Sequence, residues 1–181
     1  MAEVEDDPKR RKAPLSAPVP LTAEHDLSGF DCGEPALNDW LRQRALKNES
    51  RFSRTYVVCE GNSAVAYFCI SAGVVERTAA PGRLRRNAPD AIPVSVIGRL
   101  AVTRSHAGSG LGSDILSDAL RRIAIASRNI GIGAVLVHAK DDAAKRFYMN
   151  RGEFIEYPHD SRTLFLPIET VIAAFPDHDP P

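Results

Sequence analysis

The chain has 181 residues, 44% hydrophobic and 25% charged, enough apolar material to enclose one core in a single domain. Its 23 lysines and arginines match its 23 aspartates and glutamates, so no net field commits it to nucleic acid or membrane, although a local basic face can hide in a neutral sum. No apolar run is long enough to span a bilayer and the first segment lacks the apolar middle of a signal peptide, so cytoplasmic residence without a membrane partner is expected. The three cysteines, Cys32, Cys59 and Cys69, and the five histidines lack disulfide-framework or metal-ligand spacing, and no metal is expected. Each histidine, His138 included, reads as a surface or satisfied structural side chain.

Residues 1–16 are charged, proline-bearing and short of apolar side chains, the composition of a disordered tail; 176–181 read as a frayed end, and 17–175 as the domain. "PVPLTAEHDLSGFDCG" predicts a short strand and a loop. "EPALNDWLRQRALKNE" predicts one helix, with Pro35 in its first turn and Leu37, Trp40, Leu41 and Ala45 on one face. "RTYVVCE" and "AVAYFCISAGVV" are β-rich runs joined through Gly61-Asn62, a hairpin signature. A polar connection with three prolines then leads to "VSVIGRLAV", the central apolar strand.

A glycine loop, "TRSHAGSGLG", follows that strand directly and opens a helix whose buried stripe should comprise Leu111, Ile115, Ala119 and Ile123, widened by Leu116, Leu120 and Ala124. "GAVLVHA" predicts a strand, "KDDAAKRFYMNRG" a short helix with Asp141 or Asp142 as its cap and Gly152 at its end, and "EFIEY" and "RTLFLPI" two closing strands. The sum is an α/β (α+β) domain: a mixed twisted sheet of about six or seven strands with helices on both faces.

A strand feeding glycines into a helix N-terminus is built for phosphate. Bare N–H groups point outward, the helix end carries partial positive charge, and glycine lets a ligand approach the backbone. The loop is not a Walker loop, which needs Gly-Lys-Ser/Thr, and its G-x-G-x-G spacing departs from the dinucleotide fingerprint G-x-G-x-x-G.

"IGRLAVTRSHAGSGLGSDIL" resembles motif A of the GNAT N-acetyltransferase superfamily, Q/R-x-x-G-x-G/A, whose loop amides hold the pyrophosphate of acetyl-coenzyme A. The resemblance puts Ala107 in the Gln/Arg position and Gly110 and Gly112 in the glycine positions. It implies main-chain contacts to the cofactor from Leu100, Ala101 and Val102 and from the loop residues Ala107, Gly108, Ser109, Gly110, Leu111, Gly112 and Ser113. Arg104 is a candidate for the donor that Ala107 lacks. "DDAAKRFYMNRGEFIE" is similar to the family's later motif and implies that Tyr148 is the general acid toward the departing thiolate, with Phe147 as packing.

Residues 17–168 resemble the TacT-like GNAT toxins of type II toxin–antitoxin systems, through "FDCGEPALNDWLRQRALKN", "RTYVVCEGNSAVAYFCISAG" and "IPVSVIGRLAV". That resemblance implies acetylation of the amino group of aminoacyl-tRNA, a block of translation, a homodimer and a ribbon-helix-helix antitoxin. Arg42, Arg44, Lys47, Arg51 and Arg54 crowd the first helix and next strand; Arg77, Arg83, Arg85 and Arg86 crowd a connection with no acid between Glu76 and Asp90. Of these, Arg42, Lys47, Arg51, Arg77, Arg83, Arg85 and Arg86 are the candidates for tRNA contact. Two other readings stay open: acetylation of a small amine or a protein N-terminus, and a non-catalytic module that binds coenzyme A or a partner. The residues do not single out a general base or the aminoacyl-tRNA chosen.

Overall fold

The computed structural model describes residues 12–176. In chain order the elements are β1 (Val19–Pro20), α1 (Pro35–Gln43), α2 (Ala45–Glu49), β2 (Arg54–Glu60), β3 (Ser63–Glu76), α3 (Gly82–Arg85), β4 (Ala91–Val102), α4 (Leu111–Ala126), β5 (Ala134–His138), α5 (Asp142–Arg151), β6 (Ile155–Tyr157), β7 (Asp160–Pro167) and α6 (Ile168–Ala174). The strands form one seven-stranded sheet in the order β1-β2-β3-β4-β5-β7-β6. Every neighbouring pair is antiparallel except β4 and β5. A parallel pair needs a crossover, and α4 supplies it.

Helices cover both faces because the strands alternate their side chains. Val58, Phe68, Ile97 and Val137 face α4 and α6, whereas Val57, Tyr67 and Ala101 face α1 and α2. The buried residues of α4 are Leu111, Ile115, Leu116, Ala119, Leu120, Ile123 and Ala124, the stripe expected from its period. On the opposite face Leu84 of α3 packs with Ile92, Val94, Leu136 and Phe165. The β2–β3 turn closes with Glu60 opposite Ser63, and Gly61 takes φ +64° there.

Several elements differ from the sequence expectation. The first helix is broken at Arg44, whose φ of −117° leaves the helical range although its N–H still bonds Trp40 O at 2.8 Å. The proline-punctuated connection holds α3, where Pro81 leads into the first turn. After β7, Ile168 and Val171 return to the core on α6, a helix rather than more strand. Gly152 ends α5 in extended backbone, φ −169°, and not as a left-handed cap. Leu15 and Ser16, assigned to the N-terminal tail, pair with β2: Leu15 bridges Glu60, and Ser16 exchanges hydrogen bonds with Cys59 at 2.8 and 2.9 Å. The tail expectations for 1–11 and 177–181 lie outside the described residues.

The feature that shapes the site is a divergence between the two parallel strands. β4 pairs with β5 only from Val94 to Ile97, yet continues to Val102 against β3. The register of β3 and β4 shifts at this point, with Cys69 opposite Arg99 and Ile70 opposite Ile97, so Gly98 is the extra residue of a bulge. A Cβ at position 98 would lie 3.2 Å from Cys69 Sγ, which favours glycine. Beyond the bulge the β5 side of residues 99–102 has no strand partner.

Candidate active site

The unpaired edge of β4 leads into the glycine loop. Thr103 N bonds Val65 O at 2.8 Å and Arg104 N bonds Asp31 O at 2.8 Å, which anchors the strand end before the loop turns outward. Gly108 and Gly110 take φ +73° and +88°, a region costly for residues with a Cβ, and open space surrounds both. Residues 107–110 are exposed. Gly110 is the N-cap of α4, a helix of 16 residues, so the first N–H groups of α4 lack helical partners. A cleft of about 360 Å³ lies against this loop, bounded by Leu100 and Val102 of β4, Gly108 and Gly110, and Phe147 and Tyr148 of α5. The main chain of the glycine loop and the first turn of α4 lines it together with the Arg151 side chain, a set that fits a diphosphate.

The cations at this cleft differ from the sequence expectation. Arg104 is turned away; its Nε lies 3.7 Å from Asp31 Oδ2 and against Gly33. Arg151, at the end of α5, lines the cleft instead, as does His106, whose Nε2 is 3.0 Å from Glu60 Oε2. Arg151 escaped sequence reasoning because only the fold brings the end of α5 to the loop; its position in the last turn of an amphipathic helix was the available signal.

Tyr148 is held by α5. Asp141 caps that helix through Oδ1, which accepts from Ala144 N at 2.8 Å. Phe147 and Phe154 contact the Tyr148 ring at centroid distances of 5.2 and 5.7 Å. Burial pushes the Tyr148 phenol up to about 12, so it keeps its proton at neutral pH. Its hydroxyl has no hydrogen-bond partner among the described residues.

A second cleft, of about 440 Å³, meets the first at Tyr148, Leu100 and Ala144. It is bounded by Glu34 and Leu37 of the α1 segment, Arg99 of β4, and His138 and Lys140 at the end of β5. Lys140 Nζ spans its walls to Glu34 Oε2 at 3.0 Å, a contact that raises the lysine's affinity for its proton. Arg99 lies over Trp40 at 4.2 Å, Trp40 stacks on Tyr67 at 5.9 Å, and Tyr67 OH donates to Leu37 O at 2.8 Å. That chain of contacts fixes α1 against the sheet. Among the described residues no group of three or more His, Cys, Asp or Glu side chains is arranged to hold a metal ion, and no helix is long and apolar enough to cross a membrane.

No protein-family model matches the sequence. A tRNA-acetylating toxin of Mycobacterium tuberculosis (strain ATCC 25618 / H37Rv) is 44% identical over 136 residues, covering 75% of this chain and 82% of that one. The chain belongs to the TacT-like toxins of the GNAT acetyltransferase superfamily. Among solved structures, AtaT complexed with acetyl-methionyl-tRNAfMet superposes on this toxin with a TM-score of 0.81 at 30% identity, covering 90% of this chain and 100% of that one. A tyrosine-to-phenylalanine mutant of AtaT, bound to acetyl-CoA and the C-terminus of the antitoxin AtaR, gives 0.77 at 29% identity, covering 90% and 98%.

The basic residues of this TacT-like toxin do not form one patch. Arg42 donates to Phe30 O and lies 3.7 Å from Asp39, so it is partly spent on holding α1. Lys47 and Arg51 are exposed, with Arg51 over the Phe52 ring at 5.4 Å, while Arg54 donates to Glu49 O. Arg44 is exposed at the break between α1 and α2. Arg77 is paired with Asp90 at 3.0 Å. Arg83, Arg85 and Arg86 are exposed on and after α3 and carry no ion pair among the described residues. Arg83 and Arg151 line a single groove of about 690 Å³ along α4 and α6, which connects the α3 cluster to the glycine loop.

Proposed function

We propose that the chain is an acetyl-CoA-dependent N-acetyltransferase toxin that acetylates the amino group of aminoacyl-tRNA and so blocks translation. The observation that carries this reading is the meeting of two clefts at Tyr148, one against the glycine loop and one free to admit an acceptor. The amides of 107–113 would hold the diphosphate, and the open edge at Leu100, Ala101 and Val102 would take the pantetheine arm. Acetyl-CoA supplies the acyl group as a thioester. The acceptor amine attacks the thioester carbonyl, a main-chain N–H of that edge stabilises the oxygen charge, and the neutral phenol of Tyr148 gives its proton to the departing thiolate.

The tRNA needs positive surface, and Arg83, Arg85 and Arg86, which carry no ion pair among the described residues, are exposed cations suited to it, with Lys47 and Arg51. Arg42 and Arg77 contribute less because both are engaged by the protein itself. The reading includes a cytoplasmic setting, a ribbon-helix-helix antitoxin and a homodimer. The exposed Phe52 and Ile130, which border one groove of β2, β3 and α4, supply apolar surface for association.

Mass spectrometry of charged tRNA after incubation with the protein and labelled acetyl-CoA tests the reading. Label on the aminoacyl moiety is expected. Binding of acetyl-CoA with no label on any aminoacyl-tRNA would refute it.

A further inference from the structure

We infer that His138 is the base that accepts the amine proton, and that Thr163 and Asp160 hold its ring in the tautomer this requires. The inference deepens the acetyl-transfer reading and rests on it. His138 is the last residue of β5 and sits opposite Thr163 of β7. The strand's alternation sends Val135 and Val137 toward α4 and turns His138 to the other face, where β4 has already diverged. It therefore lines the acceptor cleft together with Tyr148.

The hydrogen bonds decide where its proton lies. Asp160 accepts from Thr163 Oγ1 at 2.5 Å and from Arg162 N at 3.0 Å, and these bonds hold its carboxyl below the usual range. An ionised carboxylate only accepts, so the single hydroxyl proton of Thr163 points to Asp160. Thr163 Oγ1 can then offer only a lone pair to His138 Nδ1, 2.9 Å away. In the neutral ring Nδ1 must carry the hydrogen, and Nε2 is left with a bare lone pair. Nε2 has no partner among the described residues.

The other titratable groups of the cleft are unsuited to the task. Lys140 and Glu34 are paired with each other, and Asp141 is held below the usual carboxylate range by its bond from Ala144 N and by Lys140. Arg99 is a permanent cation and Tyr148 keeps its proton. The balance closes: the N–C bond forms as the C–S bond breaks, one amine proton passes to His138 Nε2, and the Tyr148 proton passes to sulfur. The imidazolium then returns its proton to the Tyr148 phenolate through cleft water, so both residues are restored.

The test combines steady-state acetyl transfer to aminoacyl-tRNA with calorimetry of coenzyme A binding. His138→Gln should lower kcat by ~100-fold or more, the range of general base catalysis, without changing coenzyme A affinity. Added imidazole should restore part of the activity of His138→Ala. Thr163→Val should lose activity that Thr163→Ser retains, which separates the hydroxyl's role from packing. In the wild type, long-range ¹H–¹⁵N correlations should find the neutral His138 ring protonated at Nδ1. A ring protonated at Nε2, or a His138→Gln enzyme within about threefold of wild type, overturns the assignment. A wild type that binds coenzyme A yet transfers nothing to aminoacyl-tRNA overturns the functional reading instead.

Discussion

Tyr148 and Leu100 border both clefts, so the two clefts meet at this pair. Leu100 belongs to the strand edge freed by the bulge, and Tyr148 to α5, the helix that follows β5. In the proposed reaction the amine and the thioester would come within bonding distance at this junction while both remain bound.

Tyr148→Phe removes the proposed acid and little else. The hydroxyl has no hydrogen-bond partner among the described residues, and the ring contacts with Phe147 and Phe154 survive. We expect kcat to fall by ~10²–10⁴ with coenzyme A affinity and melting temperature nearly unchanged. Parallel kinetics, calorimetry and thermal melts check this; loss of coenzyme A binding would mean that the phenol holds the substrate rather than protonating it.

The same phenol gives the fold an alkaline limit. Its pKa is about 12 in the folded protein against 10.0 when unperturbed, so the folded state binds the proton more tightly. The associated stability is complete below pH 10 and declines as pH rises toward 12, by ~2 kcal/mol over the interval. Burial shifts Tyr67 in the same direction. Denaturant unfolding at pH 9 and 11 should show a smaller loss for Tyr148→Phe than for wild type, and equal losses would mean that the phenol ionises normally.

The two motif glycines should respond differently to alanine. Gly110 has open space but φ +88°, so Gly110→Ala should destabilise by about 1–2 kcal/mol through backbone strain and weaken acetyl-CoA binding. Gly112 lies inside α4, and an added Cβ would meet Phe147 at an ordinary 3.5 Å. Gly112→Ala should therefore leave stability equal or up to about 1 kcal/mol higher while still raising KM for acetyl-CoA, since it lines the cleft. Thermal melts and substrate titrations on both variants compare the two effects.

These contrasts show which parts of the fold were legible in the residues. The α4 stripe, the hairpin at Gly61 and the loop-to-helix junction are local patterns, with period 3.6 or a fixed turn chemistry behind each. α3 and α6 were not legible because four and seven residues give too little periodicity, and Leu84 or Val171 becomes apolar-facing only once a sheet is beneath it. Arg151 beside the glycine loop and His138 beside Thr163 are likewise products of tertiary contact. Position 104 shows the converse: an arginine next to the motif looked available, but Asp31, 73 positions earlier in the chain, claims it.

Arg83, Arg85 and Arg86 offer the clearest test of how tRNA approaches. All three are exposed and free of ion pairs among the described residues, whereas Arg77 is neutralised by Asp90 at 3.0 Å. If each of the three neutralises one phosphate, replacing all with glutamine should make the log–log salt dependence of tRNA binding shallower by about 2–3. Arg77→Gln alone should change the slope by less than any one of them. An amino acid methyl ester used as acceptor has no phosphates, so its acetylation should be unaffected by the triple substitution, which leaves both clefts at Tyr148 intact. Equal losses with the ester and with aminoacyl-tRNA would place the cluster's effect on folding, and an unchanged salt slope would exclude Arg83, Arg85 and Arg86 from the tRNA path.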